Sequence, residues 1–305
     1  MVGLRLLTDR YDRTVARELL LDPTARQERT DLSGPLNYLL IGSDRRPDSN
    51  SPETRADTIL IVHLPAGLGR AYLISVPRDL LVAIPAAPGH PGGNDKINAA
   101  YQHGGGGEGG ARLLSTTLSR LTGLRFDGAA LIDFAGIQRV VDILGGVRLC
   151  PETEVRSIHT GHVFPAGCQQ LTGAQALDLV RQRYDLPNGD YDRQRHQQQL
   201  LRAMLDRAAA TDLRGNPARF DQVLRAVGSS LTVDTNGVPL DDLVFTLRDL
   251  RSDALLGVQV PSHPQTIDEV SYVLLDQGGG GLFEAVRENR VEPWVRSNQR
   301  WVNPL

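Results

Sequence analysis

Three uninterrupted apolar runs lie close together near the start of this chain and limit what it can become. "LNYLLI" (36–41), "DTILIVHL" (57–64) and "AYLISV" (71–76) are short, apolar at nearly every position and bounded by turn residues. They read as strands buried on both faces, which demands cover above and below the sheet. Pro65 to Arg70 is a short turn, so the second and third runs form a hairpin. Helical spacing follows in "GARLLSTTLSRLTG" (110–123) and "DFAGIQRVVDILGG" (133–146). Thr172 and Gln175 make a capping box that opens a further helix. A longer helix is expected from about Asp192 to Ala210, others near 217–228, 239–250 and 281–288, and a strand at 254–261. Helices interleaved with buried strands predict the α/β class, a three-layer α/β/α sandwich around a central mixed β-sheet. Residues 1–34 read as a polar leader, 35–290 as the domain and 291–305 as a tail. The glycine run "HGGGGEGG" (103–110) fits no phosphate-loop pattern and reads as a loop.

At 305 residues and 40% hydrophobic content, the chain can bury a substantial core. A net charge of −3 leaves no broad basic field for duplex nucleic acid. Lys96 is the only lysine, and every other cation is arginine. A GC-rich genome produces that bias unaided, which makes the surviving lysine worth noting. No stretch reaches the roughly 18–20 apolar residues that span a bilayer. "MVGLRLLTDRY" is too short and too charged for the apolar region of a signal peptide. A soluble body is expected, either natively so or separated from an N-terminal anchor. Cys150 and Cys168 are close in the chain. A disulfide between them would close a loop worth about 3 kcal/mol and place the protein outside the cytoplasm. Two unrelated buried thiols are the alternative.

The charged residues converge if the three strands form an antiparallel meander. Asp44 then lies just past the first strand, Asp57 opens the second and Arg78 follows the third, all at one rim. The loop 45–56 would add Arg45 and Arg55. Two carboxylates among arginines fit a magnesium–pyrophosphate site: Mg²⁺ takes one or two carboxylates plus phosphate oxygens and water, and guanidinium forks match phosphate oxygens. Ordinary surface ion pairs, each worth about 0–1 kcal/mol, are the competing reading. "DLVRQRYDLPNGDYDRQRHQQQLL" (178–201) favours the site. In an extended chain Arg181 and Arg183 would share a face. After the Pro-Asn-Gly turn, Asp190, Arg193 and Gln197 align along one face of a new helix, with Leu200 and Met204 continuing it inward. Asp190, not needed by the metal, is placed to take a proton from an attacking hydroxyl. Asp192, two residues on, is the other candidate.

With these residues in view, the chain resembles the LytR–CpsA–Psr family of cell-wall phosphotransferases over roughly 35–290. The matching blocks are "NYLLIGSDRR", "TRADTILIVHL", "LISVPRDLLVAIP", "DKINAAYQHGG", "VVDILGGVRL", "LTGAQALDLVRQR" and "GDYDRQRHQQQLL". The resemblance implies an α/β/α fold hung outside the cytoplasmic membrane on an N-terminal helix. It implies transfer of a glycopolymer phosphate from a polyprenyl-pyrophosphate carrier to a peptidoglycan hydroxyl, with no nucleic-acid partner. By the same resemblance, Asp44 and Asp57 are ligands of Mg²⁺, with Mn²⁺ as an alternative. Arg55, Arg78, Arg181, Arg183 and Arg193 form the pyrophosphate clamp with Gln197 beside them, Lys96 sits in the "KINAAY" block, and Asp190 is the base. Helices 111–122 and 134–144 are expected to wall an apolar tunnel for the lipid, although core packing explains their leucines equally well. The paired cysteines and the arginine usage resemble an actinobacterial type acting on arabinogalactan or a similar polymer. A LytR-type transcription attenuator, a pyrophosphatase using water at the same site and a noncatalytic isoprenoid binder remain as alternatives.

Overall fold

The computed structural model describes residues 16–29, 31–44, 55–211, 222–223, 225, 230–303 and 305. Eight strands form the central sheet: β1 (Ala16–Arg17), β2 (Leu36–Ser43), β3 (Ala56–Leu64), β4 (Ala71–Ser75), β5 (Gly128–Asp133), β6 (Leu231–Asp234), β7 (Leu255–Gln259) and β8 (Val302–Asn303). Their order across the sheet is β1-β6-β5-β2-β3-β4-β7-β8. β2, β3 and β4 make the expected antiparallel meander, while β5 joins β2 and β7 joins β4 in parallel, so the sheet is mixed.

Alternation of side chains across the pleat, with both faces covered, explains why the central runs are apolar at nearly every position. Leu39, Ile41, Ile59, Ile61, Tyr72 and Ile74 enter one buried cluster. Helices α1 (Ile97–His103) and α2 (Gly107–Thr122) cover that face, through Ala100, Tyr101, Leu114 and Leu118 among others. Leu36, Leu60, Leu64, Ala71 and Leu73 enter a second cluster on the opposite face. There α3 (Phe134–Ile143), α4 (Gly173–Arg181) and α5 (Asp190–Ala210) build a further apolar core with the short ladder Val147–Leu149/Gln169–Leu171. The three remaining labelled helices are α6 (Leu240–Thr246), α7 (Gln277–Arg287) and α8 (Val291–Ser297). Leu282, Phe283, Val286, Val291 and Val295 of the last two join the first core. The expected three layers are present.

Several boundaries differ from expectation. The stretch read as a leader supplies β1, parallel to β6, and buries Leu20, Leu21 and Ala25 in the main core. The stretch read as a tail supplies α8 and β8, which pairs antiparallel with β7. Part of the glycine run is helix, not loop: α2 starts at Gly107. A Cβ on Gly110 would lie 2.4 Å from the Tyr101 carbonyl oxygen, so glycine is what lets α2 pass so close to α1. The helix expected at 217–228 falls mostly outside the described residues. Cys150 and Cys168 are disulfide-bonded at 2.06 Å, next to the paired strands that each of them flanks. Among the described residues, no helix is long and apolar enough to cross a membrane.

Candidate functional site

The rim above β2, β3 and β4 is shaped by a β-bulge. Gly42 pairs with Thr58 but Ser43 pairs with Ala56, so Asp57 has no partner on β2. Bulges re-aim side chains, and the Asp57 carboxylate is ion-paired with Arg78, just past the end of β4. The crossing is tight: a Cβ on Gly42 would come 2.9 Å from Thr58 Cβ. Asp44 lies across the bulge and accepts the Arg55 backbone N–H at 3.2 Å.

Arg78 is the hub of this rim. Its Nε lies 3.7 Å from Asp79 and 3.7 Å from Asp190, buried and without a hydrogen-bond partner. Burial alone would lower the Arg78 pKa, but Asp57, Asp190 and Asp79 together more than offset it, and the group sits above the ordinary arginine value. The guanidinium is therefore permanently charged. Asp190 opens α5. Its Oδ1 accepts Arg193 Nη2 at 2.7 Å and Nε at 2.9 Å, and its Oδ2 accepts Gln194 Nε2 at 3.0 Å. Arg193 also donates to the Asp57 carbonyl at 2.8 Å, stitching the first turn of α5 to β3. Asp192 faces elsewhere: it is 3% exposed and accepts from Asn188 and Arg195.

Beneath this rim, between the sheet and helices α3, α4 and α5, lies a cavity of about 360 Å³. Leu40 and Leu60 form its floor, and Phe134, Ile137, Leu177, Val180, Leu200 and Met204 its walls. Asp57, Arg78, Arg181, Arg183, Arg193 and Gln197 also line it. The expected wall at 134–144 is there, whereas the helix expected at 111–122 is not. Leu114 and Leu118 are packed in the core on the other side of the sheet. Arg181 is the last residue of α4 rather than part of an extended chain, with its guanidinium 4.6 Å from the centre of the Phe134 ring. Arg183 stacks on Tyr184. Both still line the cavity, because Gln182 between them is extended and fully buried.

Four expected residues, Asp190 at the rim and Arg55, Lys96 and Asp44, stand outside the cavity lining. Arg55 contacts Gln102 at 3.3 Å on the outer rim. Lys96 pairs with Asp79 at 3.1 Å, one residue from Arg78, and lies over the Tyr272 ring. Asp44 stays at the bulge, and Arg45 lies outside the described residues. Among the described residues, no cluster of three or more His, Cys, Asp or Glu side chains is assembled for a metal. Two carboxylates flanking the bulge nonetheless fit an ion that completes its shell with phosphate oxygens and water.

Several contributing residues were not foreseen. Gln198, fully buried, donates to the Leu73 and Val258 carbonyls and to Ser75 Oγ, and so fastens α5 to the sheet. Asp178 accepts from Ser157, Thr160 and Gln182, and Gln182 Oε1 accepts the Ile158 N–H. That network holds Ile158 and His159 at the cavity edge. The Asp178/Gln182 pair has helical i, i+4 spacing, a signal that could have been read. Its partner Ser157 is distant in sequence and carries no such mark.

The site is thus an apolar chamber with arginines among the residues that line it. The chain belongs to the LytR_cpsA_psr family, whose model matches residues 10–279. It is 34% identical over 222 residues to the probable cell wall biosynthesis protein LcpB of Corynebacterium glutamicum, covering 68% of this chain and 50% of that protein. It is 28% identical over 218 residues to the polyisoprenyl-teichoic acid–peptidoglycan teichoic acid transferase TagU of Enterococcus faecalis, covering 72% of this chain and 66% of that one. The chain thus spans about half the length of the first of these relatives. The LytR-Csp2A-Psr enzyme from Actinomyces oris shares the fold, with a TM-score of 0.65 at 24% identity over 89% of this chain and 95% of that chain.

Proposed function

We propose that this chain transfers a phosphate-linked glycopolymer from a polyprenyl-pyrophosphate carrier to a hydroxyl of peptidoglycan. The observation that carries the reading is the cavity: apolar within and ringed by Arg78, Arg181, Arg183 and Arg193, with Asp190 bonded to Arg193 and 3.7 Å from Arg78. The isoprenoid tail lies between the sheet and α3–α5, and the pyrophosphate meets the guanidinium groups. The buried Nε of Arg78, which has no partner, is a donor waiting for an anion. The names of the two relatives, a cell wall biosynthesis protein and a teichoic acid transferase, support the same chemistry.

The acceptor oxygen attacks the phosphorus that bears the sugar and forms a new P–O bond. The bond from that phosphorus to the bridging oxygen breaks, and polyprenyl monophosphate leaves. The hydroxyl proton passes to Asp190. Asp57 and Asp44 are the residues that would hold Mg²⁺, whose contribution when bound is neutralisation of phosphate charge. Arg78, Arg181 and Arg183 fix the pyrophosphate while charge moves to the leaving oxygen, so positioning and electrostatics supply most of the catalysis. Arabinogalactan or a similar polymer is the donor we favour. The disulfide supports a site of action outside the cytoplasm, and membrane anchoring belongs to the same proposal. The attenuator reading lacks support, because the arginines gather at a cavity mouth and not along an exposed helix.

The test is incubation with a polyprenyl-pyrophosphate-linked sugar, Mg²⁺ and peptidoglycan fragments, with both products followed by mass spectrometry. Polyprenyl monophosphate appearing together with sugar phosphate joined to the acceptor is the expected result. Release of free sugar phosphate alone, at the same rate with and without acceptor, would assign hydrolysis instead.

A further inference from the structure

The cavity mouth carries a feature that binding a donor does not explain. Ile158 and Tyr184 both line it, yet they are 51% and 52% exposed. They are not loosely displayed. The Ile158 N–H is bonded to buried Gln182 at 3.0 Å, and Ser157 and Thr160 on either side are tied to Asp178. Arg183 stacks 4.7 Å from the centre of the Tyr184 ring and donates to its hydroxyl at 2.7 Å. A large aliphatic and a large aromatic side chain are thus held in water beside an apolar opening.

Cations outnumber carboxylates in the lining at this edge, and one exposed carboxylate, Asp185, follows Tyr184 in the chain. Among the residues lining the cavity, Arg181 and Arg183 accompany Ile158 and Tyr184. Asp57 is the acidic residue in that lining, and its carboxylate is ion-paired with Arg78. An exposed isoleucine, a tyrosine ring and neighbouring arginines match the chemistry of a bilayer interface, where aromatic rings sit at headgroup level and arginines meet anionic phosphates.

We infer that this edge of the mouth docks directly on an anionic lipid bilayer, with Ile158 and Tyr184 entering the headgroup–acyl boundary and Arg183 facing the lipid phosphates. Docked in this way, the cavity opens onto the acyl region, and a long isoprenoid tail passes into it without crossing water. The inference shares its cavity with the proposed function, but its test uses no donor, so either can fail alone.

The experiment is co-flotation of the 305-residue chain with vesicles of phosphatidylcholine containing about one-third phosphatidylglycerol, a composition chosen for its negative surface potential. The wild-type chain floats with these vesicles, and does so less as salt rises. Ile158→Asp combined with Tyr184→Ser lowers the partition coefficient roughly tenfold or more, since two interfacial side chains are lost. Arg183→Gln weakens binding and flattens its salt dependence. Val270→Ser, which alters an exposed apolar residue on the Ser262–Leu275 hairpin outside the cavity, leaves partition unchanged. Thermal melts of each variant establish that the fold is retained. A double variant that floats as well as the wild type overturns the inference. So does a wild-type chain that ignores anionic vesicles, or that buries these residues by dimerising.

Discussion

Asp190 and Asp192 lie two residues apart at one helix start and do different things. Asp190 faces the cavity rim and is bonded to Arg193 and Gln194. Asp192 is turned inward, accepting the Asn188 N–H at 2.8 Å and Arg195 at 2.9 Å. Asp190→Asn is nearly isosteric and removes the ability to take a proton, so transfer falls by roughly 10² to 10⁴ while donor affinity holds. Asp192→Asn leaves transfer nearly intact but lowers stability by about 1–2 kcal/mol through weaker bonds at a buried turn. Titration of donor binding and turnover in the two variants separates them. If Asp192→Asn abolishes transfer and Asp190→Asn does not, the base is Asp192. Arg78, Arg181, Arg183 and Arg193 were legible from their chemistry and spacing, and Arg181 proved helical yet lines the cavity, whereas Arg55 does not reach the lining. Gln198 and Ser157 were not legible, since what each bonds comes from strands and helices distant in sequence.

At the scale of elements, the meander was readable because β2, β3 and β4 are central strands whose two buried faces make most positions apolar. The edge strands β1 and β8, of two residues each, were not, and neither was the interior strand β5, "GAALID", where small residues blur any period. The disulfide joins the chain next to one short ladder and closes the loop that carries Ile158 and His159. Replacing both cysteines with serine lowers the unfolding free energy by about 3 kcal/mol, read from denaturant melts; an unchanged midpoint would count against a structural bond. His63, on β3, is buried with its Nδ1 at 2.9 Å from Asn37, and burial pushes its pKa down to about 4. His196 on α5 is likewise pushed down to about 4, by burial and then by Arg195. The unfolded chain protonates histidine near 6.5, roughly the ordinary value. Between that pH and about 4 the unfolded state therefore holds more protons, and stability falls as pH falls through the window. The slope is about 1.4 kcal/mol per pH unit for each histidine. His63→Gln removes one such share, which chemical denaturation at pH 7 and pH 5 would reveal; an unaltered slope would mean that His63 accepts a proton in the fold.

The molecule as a whole joins a sheet rim that handles charge to a chamber that handles an apolar chain, and α5 belongs to both through Asp190, Arg193, Gln197, Leu200 and Met204. Filling the chamber should therefore disable the rim. Ile137→Trp on α3 places a larger side chain in the cavity, and donor affinity drops by a factor of ten or more, by the area it displaces, roughly. Its melting temperature should move little, because the new ring occupies existing space. The most direct test of the account is a crystal structure of the protein with a polyprenyl pyrophosphate. The account predicts density for the tail between the sheet and helices α3, α4 and α5, with the two phosphates against Arg78, Arg181 and Arg183. A tail lying on the opposite face beside α1 and α2, or phosphates away from Arg78, would contradict it.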